Sequence, residues 1–297
     1  SFPFCALSAA KGMVIKMKLN KQEAQLFIPD GVDEQSALSR TTDLCIAAHQ
    51  DDIEIMAFSP AAKCYGIADK WFTGVVVTDG AGSPRSGIYE RYTDEEMKLV
   101  RITEQKNAAS VGGYSAQFLL SYPSSEVKDA KNVQTVEELA SIIRACRPEI
   151  IYTHNLADKH DTHVAVALRT IAAIRSLPAD LRPKKVYSLE VWRGLDWLCD
   201  DDKVCFDTST HPNLAAALLG VFDSQIAGGK RYDSAALGRR LANATFFASH
   251  DTDECESLSY GLDITELVNS NINYFEFINQ YIEGFRSEVK DRIGRFS

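Results

Sequence analysis

The sequence predicts an α/β protein: a three-layer α/β/α sandwich on a Rossmann-like, mostly parallel sheet, with its site at the carboxyl ends of the strands. Three observations carry that expectation. Short apolar runs of strand length alternate with longer runs of helical period. Two histidine-rich clusters each follow one of those apolar runs. Nothing in the 297 residues repeats or thins into a linker.

Composition narrows the class. With 25% charged and 45% hydrophobic residues, the chain can bury the core of one large domain. The expected organisation is an N-terminal extension over residues 1–42, carrying a β-hairpin packed on the main domain, and a single domain over 43–297. Ser1 to Ala10 lacks Met and a basic stretch, so either a processed or an artificially added end is expected there, and it stays outside the fold argument. The 41 acidic residues outnumber 32 basic ones, giving a net charge of −9 that repels polyanions. No basic tract interleaved with aromatics offers a nucleic-acid track. No run of about 18 apolar residues predicts a membrane span. The seven cysteines (Cys5, Cys45, Cys64, Cys146, Cys199, Cys205 and Cys255) are scattered and never spaced C-x-x-C, as expected for reduced thiols in a cytoplasmic protein. The oligomeric state is left open, a homo-oligomer included.

Taken in order, Met13–Leu19 and Gln25–Ile28 flank a polar Asn20-Lys21 turn and predict the hairpin. Asp43 to Ala48 has the composition of a buried strand and ends on His49. Ile53, Met56 and Ala57, with Asp51, Asp52 and Glu54 in the first turn, predict a helix whose amino end favours negative charge; Glu54 is read as part of that end. Gly74–Thr78 is a second buried strand, followed by the glycine-rich Asp79–Gly82. Thr93 to Ser110 is an amphipathic helix opening on a capping box, with Arg101 and Glu104 on one face. Strands are expected at Ala116–Leu120, Glu149–Thr153 and Val186–Val191. Helices are expected at Val136–Cys146, Thr162–Arg175, Pro212–Ile226 and Tyr232–Phe247, and in the tail Ile264–Val289.

Both clusters fall where open α/β sheets bind ligands. The first, His49-Gln50-Asp51-Asp52-Ile53-Glu54, sets two carboxylates side by side, which is costly unless a cation, a proton or solvent relieves their repulsion. The second, His154 to His163, holds three of the six histidines, and His160 and His163 share a helix face. One carboxylate and two imidazoles with an open fourth position form a catalytic Zn²⁺ set that Fe²⁺ or Co²⁺ would also accept. Asp51 and Asp52 cannot both easily chelate one ion alongside His49, so the carboxylate left over is a ready general base. Plainer readings stand beside these. An Asp-Asp pair can cap a helix, and Arg101 with Glu104 can be an ordinary helix pair. Gly80 and Gly82 can make a turn, and His154 can be structural. Trp192, Arg193 and Trp197 fit a sugar platform or a core.

The clusters resemble those of the LmbE-like or PIG-L family of metal-dependent N-deacetylases, which show A-H-P-D-D-x-E early and T-H-N-P-x-D-x-H-P-D-H downstream. Thr78-Asp79-Gly80-Ala81-Gly82 resembles the family's T-D-G-x-G loop. Arg101, Glu104, Ala108 and Gly112 match its R-x-x-E-x-x-x-A-x-x-x-G helix, and Ser224-Gln225 its late S-Q pair. Any one motif is moderately specific; four in order, from about residue 43 to 226, are strong.

The resemblance implies His49, Asp52 and His163 as ligands of one divalent metal, Zn²⁺ first, and Asp51 as the general base acting on the attacking water. It implies His160 as the electrophilic partner, protonated and facing the oxyanion, and Arg101 as the group holding substrate hydroxyls. The implied substrate is a small N-acetylated amino sugar or conjugate. A thiol conjugate or other acylated small molecule, and a non-catalytic sugar-binding relative, are the alternatives. The chain departs from the pattern at Gln50, where the family often has Pro and only the turn is expected to be affected. It departs again at Leu156, at Asp161-Thr162 in place of Pro-Asp, at Phe222 in place of a frequent His, and in lacking glycines over Met56–Pro60. Asp158 or Asp161 is expected to stand in for the Asp that Thr162 replaces.

Overall fold

An eight-stranded sheet organises residues 17–297, the part of the chain that the computed structural model describes. Its strands are β1 (Gln25–Phe27), β2 (Asp43–Ala47), β3 (Phe72–Thr78), β4 (Ala116–Tyr122), β5 (Ile150–His154), β6 (Lys185–Leu189), β7 (Val204–Asp207) and β8 (Leu258–Asp263). They lie in the order β1-β4-β3-β2-β5-β6-β8-β7. The run β4-β3-β2-β5-β6 is parallel, and β1, β8 and β7 add antiparallel edges. From β2 the chain builds outward through β3 and β4, then returns to place β5 on β2's other side. The crevice between β2 and β5 is therefore the switch point where such sheets bind ligands.

Strand alternation makes the layers. Leu44, Ile46, Val75 and Val77 face one core with Leu139, Ile142, Ile143, Val166 and Ile171 of the helices Gln134–Cys146 and Asp161–Ser176. Cys45, Ala47 and Val76 face the other, with Ile53, Met56, Ala61, Ala109 and Tyr114. The buried strands are apolar throughout because both sheet faces are covered. The helix Asp94–Val111 opens on the expected capping box between Thr93 and Glu96.

Several expectations need correction. Met13 to Lys16 of the expected hairpin lie outside the described residues, Met17–Leu19 is not strand, and Gln25–Phe27 pairs with β4 across a gap in sequence. The helix after Asp52 breaks at Ala57 into Asp52–Met56 and Phe58–Cys64, because Pro60 has no N–H for the carbonyl four residues earlier. Pro212–Ile226 is not one helix: Pro212–Gly220 ends before Asp223–Gln225, and a wide turn over Ile226–Lys230 follows, with Gly229 at φ 97°. β7 and β8 were not expected; β7 is four residues at the sheet's edge, and β8 lies antiparallel between β6 and β7. The tail forms helices Thr265–Asn269 and Tyr274–Gly294, the latter burying only Phe277 and Ile278. Among the described residues no helix is long and apolar enough to cross a membrane. The described cysteines are free thiols.

Candidate active site

The turn after β2 brings the first cluster to the switch point. His49 follows the strand, and Asp51 caps the next helix at φ 91°, a left-handed conformation that costs a non-glycine residue about 1–3 kcal/mol. Its backbone N–H donates to Gln105 Oε1 at 3.2 Å. This bend lets consecutive residues aim different ways: Asp52 turns back toward His49, and Asp51 turns toward Arg101. β5 ends at His154, and His163 enters from the first turn of the helix Asp161–Ser176.

His49 Nδ1, Asp52 Oδ2 and His163 Nε2 converge: His49 to Asp52 is 3.1 Å, His49 to His163 is 3.1 Å, and His163 to Asp52 is 3.3 Å. A tetrahedral ion with bonds of about 2.0–2.1 Å has ligand–ligand edges of about 3.3 Å, so this triangle fits one. Two imidazole nitrogens at 3.1 Å need a proton or a cation between them. His163 Nδ1 lies 3.2 Å from Asp158 Oδ2, which fixes the tautomer that points the Nε2 lone pair at the triangle. Burial alone would lower His163, but Asp52 and Asp158 hold it up at about 9. Burial alone would raise Asp52, but His163 and His49 keep it well below its usual range. A field that retains a proton so firmly also favours a cation in its place.

The remaining residues separate by contact. His154 is buried, its Nε2 accepting from the Ala48 N–H at 2.8 Å, so its lone pair is already used although it stacks on His163. His160 has a ring nitrogen within 4.8 Å of the His49 and His163 ligand atoms. Burial, then the charges of His163 and His49, push it down to about 4, so the imidazole is neutral near pH 7 and not the expected cation. Neither candidate carboxylate replaces the missing partner of His160. Asp158 reaches only its backbone N–H, at 3.1 Å, and His160 Nδ1 is buried with no partner.

Arg101, 1% exposed, was expected to hold substrate hydroxyls, but both its terminal nitrogens are engaged within the protein. They reach Asp51 Oδ2 at 3.1 Å, Glu104 Oε2 at 3.3 Å, Ser224 Oγ at 3.4 Å and the Gln50 carbonyl. Ser224 donates its N–H and hydroxyl to Glu104, each at 2.7 Å, so the late S-Q pair closes a network onto Asp51. Phe222 lies under the same guanidinium at 5.7 Å. Burial raises Asp51 to about 6, with Arg101 opposing and Asp52 assisting. The Asp51 carboxyl is thereby poised near neutral pH.

Three further residues carry more than the sequence suggested. Gln50 is buried and donates to the Thr78 carbonyl at 3.2 Å, tying the β2 and β3 turns together. Gly80, at φ 76°, packs so close that a Cβ would meet Gln50 Oε1 at 2.6 Å. Glu54 stands in the first turn of the helix as expected, but it is also 1% exposed and accepts from Gln105 at 2.9 Å and Tyr114 at 3.0 Å. Gln105, Tyr232 and the lysines of the cleft wall were missed. Their types are common on helices and loops, and only the fold brings them here.

Above the triangle opens a cleft of about 780 Å³, lined among others by His49, Asp51, Arg101, His160, Trp192 and Tyr232. Trp197 packs at the edge of the core instead.

The sequence profile described as PIG-L, GlcNAc-PI de-N-acetylase, matches residues 44–174, which span both clusters. An uncharacterised deacetylase of Escherichia coli (strain K12), YaiS, is 30% identical over 150 residues, covering 48% of this chain and 73% of that protein. The chain belongs to the PIG-L, or LmbE-like, deacetylase family. Among solved structures, this PIG-L protein is similar to N,N'-diacetylchitobiose deacetylase from Pyrococcus horikoshii, with a TM-score of 0.60 at 16% identity over 80% of this chain and 88% of that one. It is also similar to GalB, the 4-carboxy-2-hydroxymuconate hydratase of Pseudomonas putida KT2440, with a TM-score of 0.58 at 18% identity over 78% and 99%. These likenesses show the PIG-L fold; since one neighbour is a hydratase, the reaction must be argued from the site.

Proposed function

We propose that this protein is a metal-dependent hydrolase that removes the acetyl group from an N-acetylated amino sugar or its conjugate, releasing acetate and a free amine. The observation that supports it most is the 3.1–3.3 Å triangle of His49, Asp52 and His163 with a second carboxylate, Asp51, left over beside it. Residues 43–297 carry this activity as a single domain, with 1–42 as its extension.

One ion per chain would be held by His49 Nδ1, Asp52 Oδ2 and His163 Nε2; Zn²⁺ suits the set best, and Fe²⁺ or Co²⁺ would also bind. When bound, it would supply Lewis-acid polarisation of the acyl oxygen and acidify water at neutral pH. Asp51 takes the proton from the attacking water and delivers it to the amine nitrogen as the C–N bond breaks. Arg101 does not need to touch substrate for this: its guanidinium holds the Asp51 carboxylate in place and favours its ionised form. His160, as a neutral imidazole, donates a ring N–H to the developing oxyanion. Its neutrality suits that part, because it keeps a further positive charge from competing with the ion for the same pocket.

The test is metal analysis together with product detection. Purified protein should carry about one divalent ion per chain, and chelation should abolish release of acetate and amine from a panel of N-acetylglucosamine derivatives until metal is restored. Metal-replete protein that releases acetate from no member of a broad N-acetyl sugar panel would overturn the reading.

A further inference from the structure

Away from the catalytic floor, the cleft is lined in a way the reaction does not require. The chain has 41 acidic residues against 32 basic ones, yet among the described residues the only carboxylates on the cleft wall are Asp51 and Asp52 at its floor. Lys128, Lys159, Lys230 and Arg239 also line it. They arrive from separate places: the end of the helix Ser124–Lys128, the loop after β5, the end of the turn Ile226–Lys230, and the helix Tyr232–Phe246. Among the described residues, the lysines with a carboxylate within 4.0 Å are Lys21, Lys98, Lys184, Lys185 and Lys203, so none of these three is paired.

Two of them share one indole. Lys159 Nζ lies 5.9 Å and Lys230 Nζ 5.0 Å from the Trp192 ring centre. That ring is in turn 6.0 Å from His160 and 6.1 Å, edge to face, from Tyr232. Moving outward from the metal triangle, the order is therefore His160, then an aromatic plane, then ammonium groups. Like charges drawn around one ring repel each other, and a bound anion would relieve that. Within a concave wall they also attract anions against the net charge of the whole molecule.

We propose that the natural substrate carries an anionic substituent, a phosphate or a carboxylate, on the side of the sugar away from the N-acetyl group, and that Lys128, Lys159 and Lys230 hold it beside Trp192. The orientation rests on the deacetylase reading; the anion preference does not. It is tested by binding of product-like probes that cannot be turned over. Glucosamine, glucosamine 6-phosphate, glucosamine 1-phosphate and 2-amino-2-deoxyglucuronate are titrated calorimetrically into the metal-loaded protein and into its Lys159→Gln/Lys230→Gln variant. At least one anionic probe should bind about tenfold more tightly than glucosamine, the size expected of two or three partly screened charges. The preference should shrink toward parity in the variant, and in the wild type as salt rises from about 0.05 to about 0.3 M. The phosphate and carboxylate arms identify which anion is meant. Equal binding of neutral and anionic probes would overturn the proposal. So would a preference that survives intact in the variant, since the metal and not the rim would then be the anion's ligand. Failure to release acetate from any N-acetyl counterpart, with the rim preference intact, would instead sink the hydrolase reading alone.

Discussion

At the floor of the cleft, the charged groups answer one another, while Gln50 Oε1, Glu54 Oε2, Arg101 Nε, His154 Nδ1 and His160 Nδ1 are buried with no partner. Arg101 reaches Asp51, Glu104 and Ser224, and Gln105 reaches the Asp51 N–H and Glu54. At the rim, Lys128, Lys159 and Lys230 are exposed and, among the described residues, have no carboxylate partner within 4.0 Å. The floor is largely buried, so hydrogen bonds and charges there act at a lower dielectric than in water and hold the geometry more firmly. The rim is wet, so its charges act through attraction and are screened by salt. On the proposed reading, the floor commits the protein to a reaction while the rim selects what is brought to it. Substitutions at the floor should therefore cut turnover steeply.

The largest effect is expected for Asp51→Asn. Asn tolerates the left-handed backbone at φ 91° and keeps the shape, so the fold and the metal content should persist while kcat falls by about 10²–10⁴-fold. A variant with wild-type kcat would remove Asp51 from the role of base. Next comes His160→Ala, expected to cost about 2.7–4 kcal/mol of barrier, again with metal retained. Loss of the metal in this variant would mean that His160 is a ligand and that the floor has no separate oxyanion donor.

How far these parts could be read in the sequence follows the same division. The parallel sheet, the capping box at Thr93 and the two clusters were legible because each rests on a local pattern: apolar period, cap chemistry, or residues close in sequence. The pairing of His49 with His163 across 114 positions was reachable because both follow strands and the ends of such strands meet. Arg101's engagement with Asp51 was not, since a residue on a helix 50 positions away looks the same whether it faces substrate or a neighbour. Gln50 and Glu54 were misjudged for a related reason: neither type shows in sequence that it will be buried. The split of Pro212–Ile226 was hidden by the glycines within and just after it, the edge strand β7 by its short length, and β8, between β6 and β7, by Gly261 in its middle; at each, tertiary contacts outweigh local preference.

Arg101→Lys tests how far the floor is a single unit. A lysine keeps the charge but cannot fork to Asp51 and Glu104 together, so kcat/KM should fall about tenfold. The pH profile should move as well. Arg101 opposes the burial that raises Asp51 to about 6, so weakening that contact lets the carboxyl rise further. Because the base works only when ionised, the acid limb of the activity profile should shift to higher pH than in the wild type. An unchanged limb with a lowered kcat/KM would show that Arg101 acts on substrate after all.

The smallest effect on turnover is expected at Glu54, a floor carboxylate that touches none of the proposed metal ligands or the proposed base, where stability is the readout. Burial pushes it up to about 8, despite hydrogen bonds from Gln105 and Tyr114, and its Oε2 has no partner. A folded value above the unfolded one, near 4.5, means that the folded state binds the extra proton. The neutral carboxyl's contribution to stability is therefore full below about pH 4.5 and is lost progressively as the pH rises toward about 8. Glu54→Gln keeps an acceptor for Gln105 and Tyr114 and carries no titrating group, so its unfolding midpoint should match the wild type near pH 5. Its stability should exceed that of the wild type increasingly toward pH 8, by as much as about 4–5 kcal/mol. Parallel stability curves for the two proteins would show that Glu54 is ionised in the folded state, and that even the driest part of the floor is tuned by charge and not by its exclusion.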